Sequence, residues 1–229
     1  MMAKHRDAEV QYYPVDVANQ AEVRKTVVKI IERNGRMDWL VNNAGTGEAG
    51  RFESQPAEIM RQVMDTNYWG AAYFTLEALP YLRQSSGAAI AFVSSVAGYV
   101  GLFGYSHYVP SKFALTGLAE CLRMEFDDYH IPVTLIYPPD TRTPLYDREQ
   151  ERTLPECKAL SANAMLATPE WVAGKLVDGM MNKQFEVYCN IESRLIRLLR
   201  NAAPGLFFSA VDGIVSRHRK SLASARAGS

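Results

Sequence analysis

SSVAGYVGLFGYSHYVPSK, residues 94–112, joins a polar strand end to the start of a helix and sets a tyrosine and a lysine four residues apart. The eight residues AAIAFVSS, 88–95, that run into it are apolar up to their last two positions, which reads as a short buried strand. Beyond it, Tyr108 and Lys112 are spaced i, i+4 and share one helix face. A tyrosine hydroxyl, with a pKa near ~10, is a poor acid–base at neutral pH unless a cation steadies its phenolate. Lys112 is placed to do that. Ser95, at the strand end, can hydrogen-bond the same oxygen that Tyr108 protonates. Ser94 is its rival, but neighbouring side chains of a strand point to opposite faces, so only one can serve. The glycines between strand and helix allow a tight path.

Outward from this stretch, strands and helices alternate. Residues 9–17, EVQYYPVDV, read as a strand closing on Asp16. Asn19 caps a predicted helix to about Arg33, with Val23, Val27, Ile30 and Ile31 at helical spacing. MDWLVNNAG is a strand ending at Gly45, and a long helical pattern follows from about Pro56 to Arg83. After the opening stretch come a helix to about Tyr129, the strand PVTLIYPP, a helix from Pro169 to about Met181, and the short strand FEVYC. Strands that are apolar throughout, alternating with helices, predict an α/β fold with a parallel sheet covered on both faces. Ligands of such sheets bind beyond the carboxyl ends of the strands, where Asp16, Asn43, Ser95 and Thr143 gather. Trp39 and Trp69 read as core residues.

The 229 residues are 48% apolar and balance 25 cationic against 25 anionic side chains. That length supports one domain with a sizeable core. A formal net charge of zero creates no field for nucleic acid, so no nucleic-acid partner is expected. Cys121, Cys157 and Cys189 are odd in number and far apart, which favours a reducing compartment. No Cys/His cluster has metal-ligand spacing, so no metal is expected. The opening residues hold no apolar leader run, and no apolar stretch is long enough to cross a bilayer. These features predict a cytoplasmic protein.

In order and spacing, NNAG (42–45), NYWG (67–70), SSVAG (94–98), YVPSK (108–112) and PPDTRT (138–143) resemble the short-chain dehydrogenase/reductases over nearly the whole chain. The resemblance implies a Rossmann-like doubly wound parallel sheet and a catalytic tetrad of Asn67, Ser95, Tyr108 and Lys112. Tyr108 would protonate the carbonyl oxygen and Ser95 would polarise the carbonyl. Lys112 would hold the nicotinamide ribose and lower the tyrosine pKa, and Asn67 would hold a water in the proton relay. The resemblance also implies cofactor contacts from Asp16 and Val17 at the adenine, and from Asn43, Ala44 and Gly45 along the cofactor. Tyr108 and Lys112 would contribute, as would Pro138, Thr141 and Thr143, with Thr143 near the nicotinamide amide. The family begins with a glycine-rich turn that receives the pyrophosphate at a helix N-terminus. Nothing here matches that turn. The chain starts at what would be the third strand, which predicts an N-terminally truncated sheet, a fragment or misplaced start of a longer protein.

A second departure is Pro138-Pro139, where the family has Pro-Gly. Together with the segments 102–126 and 137–149 and the tail, it resembles the sphingolipid branch of the family. That implies NADP(H)-dependent reduction of a lipid-like ketone, 3-ketodihydrosphingosine to dihydrosphingosine, with NAD(H) as the other cofactor form. A reductase of another acyl-chain or steroid-like ketone is the near alternative, and a scaffold that lost its phosphate loop is the distant one. By the same resemblance the protein is a homo-oligomer. Residues 1–190 make the domain and 191–229 a basic amphipathic tail. In the tail Arg194, Arg197 and Arg200 lie on one helix face, and Leu195, Ile196, Leu198 and Leu199 on the other. Farther on come Arg217, His218, Arg219 and Lys220. Peripheral contact with an anionic membrane, or packing against the domain or a second subunit, both fit this pattern.

Overall fold

The computed structural model describes residues 9–161 and 165–227. Four parallel strands, β1 (Trp39–Asn42), β2 (Ala89–Val93), β3 (Val133–Tyr137) and β4 (Glu186–Tyr188), lie in sequence order. The register pairs Trp39 with Ala89, Ile90 with Val133 and Leu135 with Glu186. The strand period of two sorts their side chains. Ile90, Phe92, Leu135 and Tyr137 pack into one layer with Ala78, Leu82, Leu115 and Ala119 from α3 (Gly70–Leu82) and α4 (Val109–Glu125). Ala89, Ala91, Ile136 and Val187 pack on the other face under Leu176 and Met180 of α7 (Pro169–Met181). Ile90, Phe92 and Leu135 are wholly buried, and each such side chain contributes ~1.5–3 kcal/mol. The parallel sheet with helices on both faces is the predicted α/β architecture.

The helix ends follow local chemistry. In α1 (Gln20–Asn34) the Asn19 side chain accepts from the backbone of Ala21 and Glu22, while Glu22 accepts from Asn19 Nδ2 and from the Asp16 N–H. The helix stops where Gly35 adopts φ +76° and donates to the Ile31 carbonyl. Thr143 and Pro144 open α5 (Pro144–Arg152) in the same cap-then-proline manner, as Thr168 and Pro169 open α7. Between β3 and α7, α5 is followed by α6 (Pro155–Ser161), two helices the sequence did not reveal. The long helix expected from Pro56 is α2 (Ala57–Met64) running into α3 through a π-turn at Asp65–Trp69.

Two expectations change, and the open readings of the tail are narrowed. Residues 9–17 form no strand: among the described residues no strand pairs with them, and Val17 begins a turn. Trp39 and Trp69 are exposed rather than in the core: Trp39 is on the edge strand and Trp69 stacks on Tyr73 at the surface. Of the two readings of the tail, the described residues show packing against the domain. The tail helices α8 (Ile191–Ala202) and α9 (Pro204–Ala227) pack on the domain through Ile196, Phe207 and Val211, and the Tyr99 hydroxyl donates to the Ser193 carbonyl at 2.8 Å. In α8, Arg197 and Arg200 turn inward, while Arg194 is exposed. Arg197 reaches Glu186 at 2.8 Å and lies over the rings of Tyr99 and Tyr137, and Arg200 lies over Phe113. Ile191, Leu195, Leu198 and Leu199 face outward. The Lys220 side chain lies outside the described residues.

Candidate active site

The carboxyl ends of β1, β2 and β3 place the site. After β2, Ser94 and Ser95 diverge. Ser94 is buried, its hydroxyl 3.3 Å from the Lys112 carbonyl oxygen and 3.2 Å from Thr116 Oγ1, so it packs against α4. Ser95 Oγ accepts from Ala97 N at 3.2 Å and stands close enough to the Tyr108 hydroxyl to lower its pKa. Tyr108 is the residue before α4, and its carbonyl receives the N–H groups of Ser111 and Lys112. One turn on, Lys112 is 5% exposed. Its Nζ donates to the Val93 carbonyl at 2.9 Å and lies 5.7 Å from the centre of the Tyr108 ring.

The electrostatics assign states to this pair. Burial, and then the charge of Glu149, push the Tyr108 hydroxyl above its usual range, while Ser95 pulls it back. The tyrosine therefore stays protonated at neutral pH, ready to give a proton. Burial draws Lys112 down to about 8, which keeps it largely cationic at pH 7.

Asn67 sits in the π-turn and is fully buried. Its Oδ1 accepts from Thr46 N at 2.7 Å, and its Nδ2 donates to the Thr46 carbonyl and to Ser111 Oγ, each at 2.9 Å. Both amide hydrogens are thus spent on holding the β1 loop to α4. The side chain positions the site. Asn43, Ala44 and Gly45 lie exposed at the tip of β1. A Cβ on Gly45 would stand 3.6 Å from Lys112 Nζ and 3.4 Å from Asn67 Oδ1, so the glycine keeps a space open beside both. Val17 packs against Gly70, and the carboxylate of Asp16 accepts from Ala18 N at 3.0 Å. Pro138 accepts from Val96 N, Thr141 donates to the Pro139 carbonyl, and Thr143 caps α5.

The family model for short chain dehydrogenase matches residues 1–153. The chain belongs to the short chain dehydrogenase family. A Dictyostelium discoideum relative named 3-ketodihydrosphingosine reductase is 36% identical over 209 residues, covering 90% of this chain and 63% of the relative. A Danio rerio relative named 3-dehydrosphinganine reductase is 41% identical over 172 residues, covering 75% of this chain and 52% of the relative. The chain thus spans between 52% and 63% of the length of these two curated relatives. A short chain dehydrogenase/reductase from Burkholderia phymatum, solved in complex with NAD, shares the fold. It has a TM-score of 0.77 at 24% identity, over 89% of this chain and 79% of that one.

Within this short chain dehydrogenase frame, three residues emerge that the sequence did not single out, Gly47, Ser111 and Glu149, and His107, which reads from the sequence as an ordinary loop residue, is buried beside them. Gly47 presses on the Tyr108 ring: a Cβ there would be 2.5 Å from Cδ2. His107 is 3% exposed, and its Nε2 accepts from Glu48 N at 3.3 Å, tying the same loop to the catalytic stretch. Burial lowers its pKa, so it is neutral. Ser111 is the partner of Asn67, and its place inside YVPSK was the available signal. Glu149, on α5, is raised to about 7 by burial and by Asp140 and Glu48. Among the described residues no cluster of His, Cys, Asp and Glu is arranged to hold a metal.

Proposed function

We propose that this protein reduces a ketone of a lipid-like substrate, 3-ketodihydrosphingosine to dihydrosphingosine, using NADP(H). The observation that carries the reading is the buried ammonium of Lys112 5.7 Å from the centre of the Tyr108 ring, with Ser95 near enough to the tyrosine hydroxyl to lower its pKa. A carbonyl oxygen set between the two hydroxyls receives a hydrogen bond from Ser95 and the proton of Tyr108. Lys112, close behind the tyrosine ring, stabilises the phenolate that remains. The names of the Dictyostelium and Danio relatives support the substrate class. Glu149 supports it too: its carboxylate is within electrostatic reach of Tyr108, and the proposed substrate has an ammonium group one carbon from its ketone.

The residues present fit the nicotinamide end of a dinucleotide. Lys112 Nζ has three hydrogens and, among the described residues, one acceptor in Val93 O, which leaves donors for ribose hydroxyls beside the space kept by Gly45. Asn43, Ala44, Thr141 and Thr143 would line the same side. When bound, the nicotinamide supplies the hydride. Asp16 and Val17 are assigned to the adenine end.

Among the described residues no helix is long and apolar enough to cross a membrane. We assign the protein to the cytoplasmic surface of a membrane, held by the outward leucines of α8. We also assign it a homo-oligomeric state through the exposed Trp69 and Leu76 of the π-turn and α3 and Met124 of α4. The catalytic test is Tyr108→Phe. It should lower kcat by at least ~100-fold with the melting temperature held, because general acid catalysis is removed without a change of shape. Turnover near the wild-type rate would transfer the proton to another residue and sink the assignment.

A further inference from the structure

Glu156, on α6, is a carboxylate with 3% exposure that the chemistry above does not use. It is shared by two cations from distant parts of the chain. Arg51, from the loop after β1, reaches its Oε1 at 2.6 Å, and Arg219, from the last helix, reaches the same oxygen at 3.8 Å. Both guanidinium groups also lie against Phe103, at 5.4 Å and 5.0 Å from its ring centre. Phe103 belongs to the catalytic stretch, five residues before Tyr108. The next residue of α6, Cys157, donates from Sγ to the Phe103 carbonyl at 2.9 Å, and Gly50 N donates to the Gly104 carbonyl at 2.8 Å. Gly104 has φ +75° and a Cβ there would be 2.9 Å from Cys157 Sγ, so α6 sits directly on this turn. The partner helix α5 brings Glu149 into the field of Tyr108 and Thr153 into contact with Tyr105, whose ring is 6.1 Å from that of Tyr108. Helices α5 and α6 therefore form a cap beside the reacting hydroxyl, and α9 lies across α6.

We propose that α9 is a strap that holds the α5–α6 cap closed over the Tyr108 site, with Arg219 on Glu156 as its release point for substrate entry. The two ion pairs are unequal, and that inequality makes a latch. The Arg51 pair is short and stays when the strap lifts, so the buried carboxylate is never left without a cation, which would be costly. The Arg219 contact is longer and half-exposed, a kind of pair that contributes little and breaks easily. Its departure also uncovers one face of Phe103. Between α6 and α9, Ala159, Ile214, Arg217 and His218 line a groove of about 300 Å³, which the same movement widens.

The strap stands on contacts alone, but its role in substrate entry rests on the proposed reductase reading, so the test has two independent arms in the full-length chain. The first is amide hydrogen exchange. Arg219→Gln should speed exchange across residues 144–161 at least threefold and leave α4 unchanged. Arg217→Gln, whose Nε donates to the Gly213 carbonyl of its own helix, should leave exchange unchanged in both places. Unchanged exchange in Arg219→Gln, or equal effects from both variants, overturns the strap whatever the activity. The second arm places Ala159→Cys and Ile214→Cys in a Cys121→Ser background and joins them with a short bis-maleimide. The joined protein should lose at least tenfold in kcat/KM for a long-chain amino ketone while its nicotinamide cofactor affinity holds. Full turnover when joined overturns the entry role. A protein with no turnover before joining overturns the reductase reading, and the exchange arm still decides the strap.

Discussion

Gly47 and Tyr108 touch across 61 residues of sequence, so closely that the ring of the tyrosine occupies the space a side chain at position 47 would need. The ring is thus fixed from the side by backbone. A hydroxyl that must meet a carbonyl within a few tenths of an ångström gains from such a wall.

Gly47→Ala should therefore act on rate and not on folding. Its Cβ would push on Cδ2 of Tyr108 and swing the hydroxyl away from Ser95. We expect kcat to fall roughly 10- to 100-fold, the scale for an ångström of misplacement, with the melting temperature nearly kept. Steady-state kinetics beside a thermal melt checks this, and an unchanged kcat refutes it.

Lys112 gives a pH signature with two opposite signs. Its pKa falls on folding from 10.5 to about 8, through burial. Between these values the unfolded chain binds more protons than the folded one, so this group's contribution to stability rises as pH climbs from 8 toward 10.5. Over the same range the cation beside Tyr108 is lost, and the rate of ketone reduction should decline above about pH 8. Lys112→Met should remove both pH dependences and lower turnover by ~100-fold or more without lowering the melting temperature, because it takes away a buried charge. A wild-type rate flat from pH 7 to 10 would refute the role of the lysine.

How much of this was legible follows a physical line. Ser95, Tyr108 and Lys112 could be placed because a strand end and one helical turn fix them locally. The burden on Asn67 could not, since it depends on Thr46 and Ser111, 21 and 44 residues away. Glu149 was hidden because the helix PLYDREQER was not read from the sequence and no one of its many charges stands out. In α8 neither the exact faces nor their direction was legible: Ile196 packs inward beside Arg197 and Arg200, and Arg194 lies outward with the leucines. Arg197 faces inward because Glu186 and the rings of Tyr99 and Tyr137 wait there, and Arg200 because Phe113 does, which no local pattern reports. Residues 9–17 had the composition of a strand, but a strand is completed by a neighbour.

Glu149 predicts a preference between substrates. With its carboxyl at about 7, the negative charge develops as pH rises from 6 to 8, and an ammonium-bearing ketone should bind better over that interval. Glu149→Gln should raise KM for the amino ketone by ~10-fold, the order of one charge-assisted contact, and abolish its pH dependence. A ketone of equal chain length without the amine should be indifferent. Equal effects on both ketones would refute the contact.

The outward leucines of α8 predict binding to bilayers without the help of lipid charge. Its Arg197 and Arg200 are turned to the protein, so phosphatidylcholine vesicles should capture the full-length chain, and capture should change little with salt. Leu195→Glu with Leu198→Glu should abolish it. Capture that disappears with salt, and survives both glutamates, would move the contact to the exposed cations of α9.

The π-turn at Asp65–Trp69 makes the long helix miscount. A turn of this kind takes up one residue more than α-helical winding needs, so α3 is advanced by about 100° of phase relative to α2. Asn67 faces inward and Trp69 outward on either side of that step. An in-frame deletion of one residue between 65 and 69 would leave an unbroken and well-formed helix. It would also present the wrong side of α3 to the sheet, so that Thr75 no longer meets Asn42. In a transplant or redesign of this helix, the residue count through the turn must therefore be conserved before any side chain is chosen.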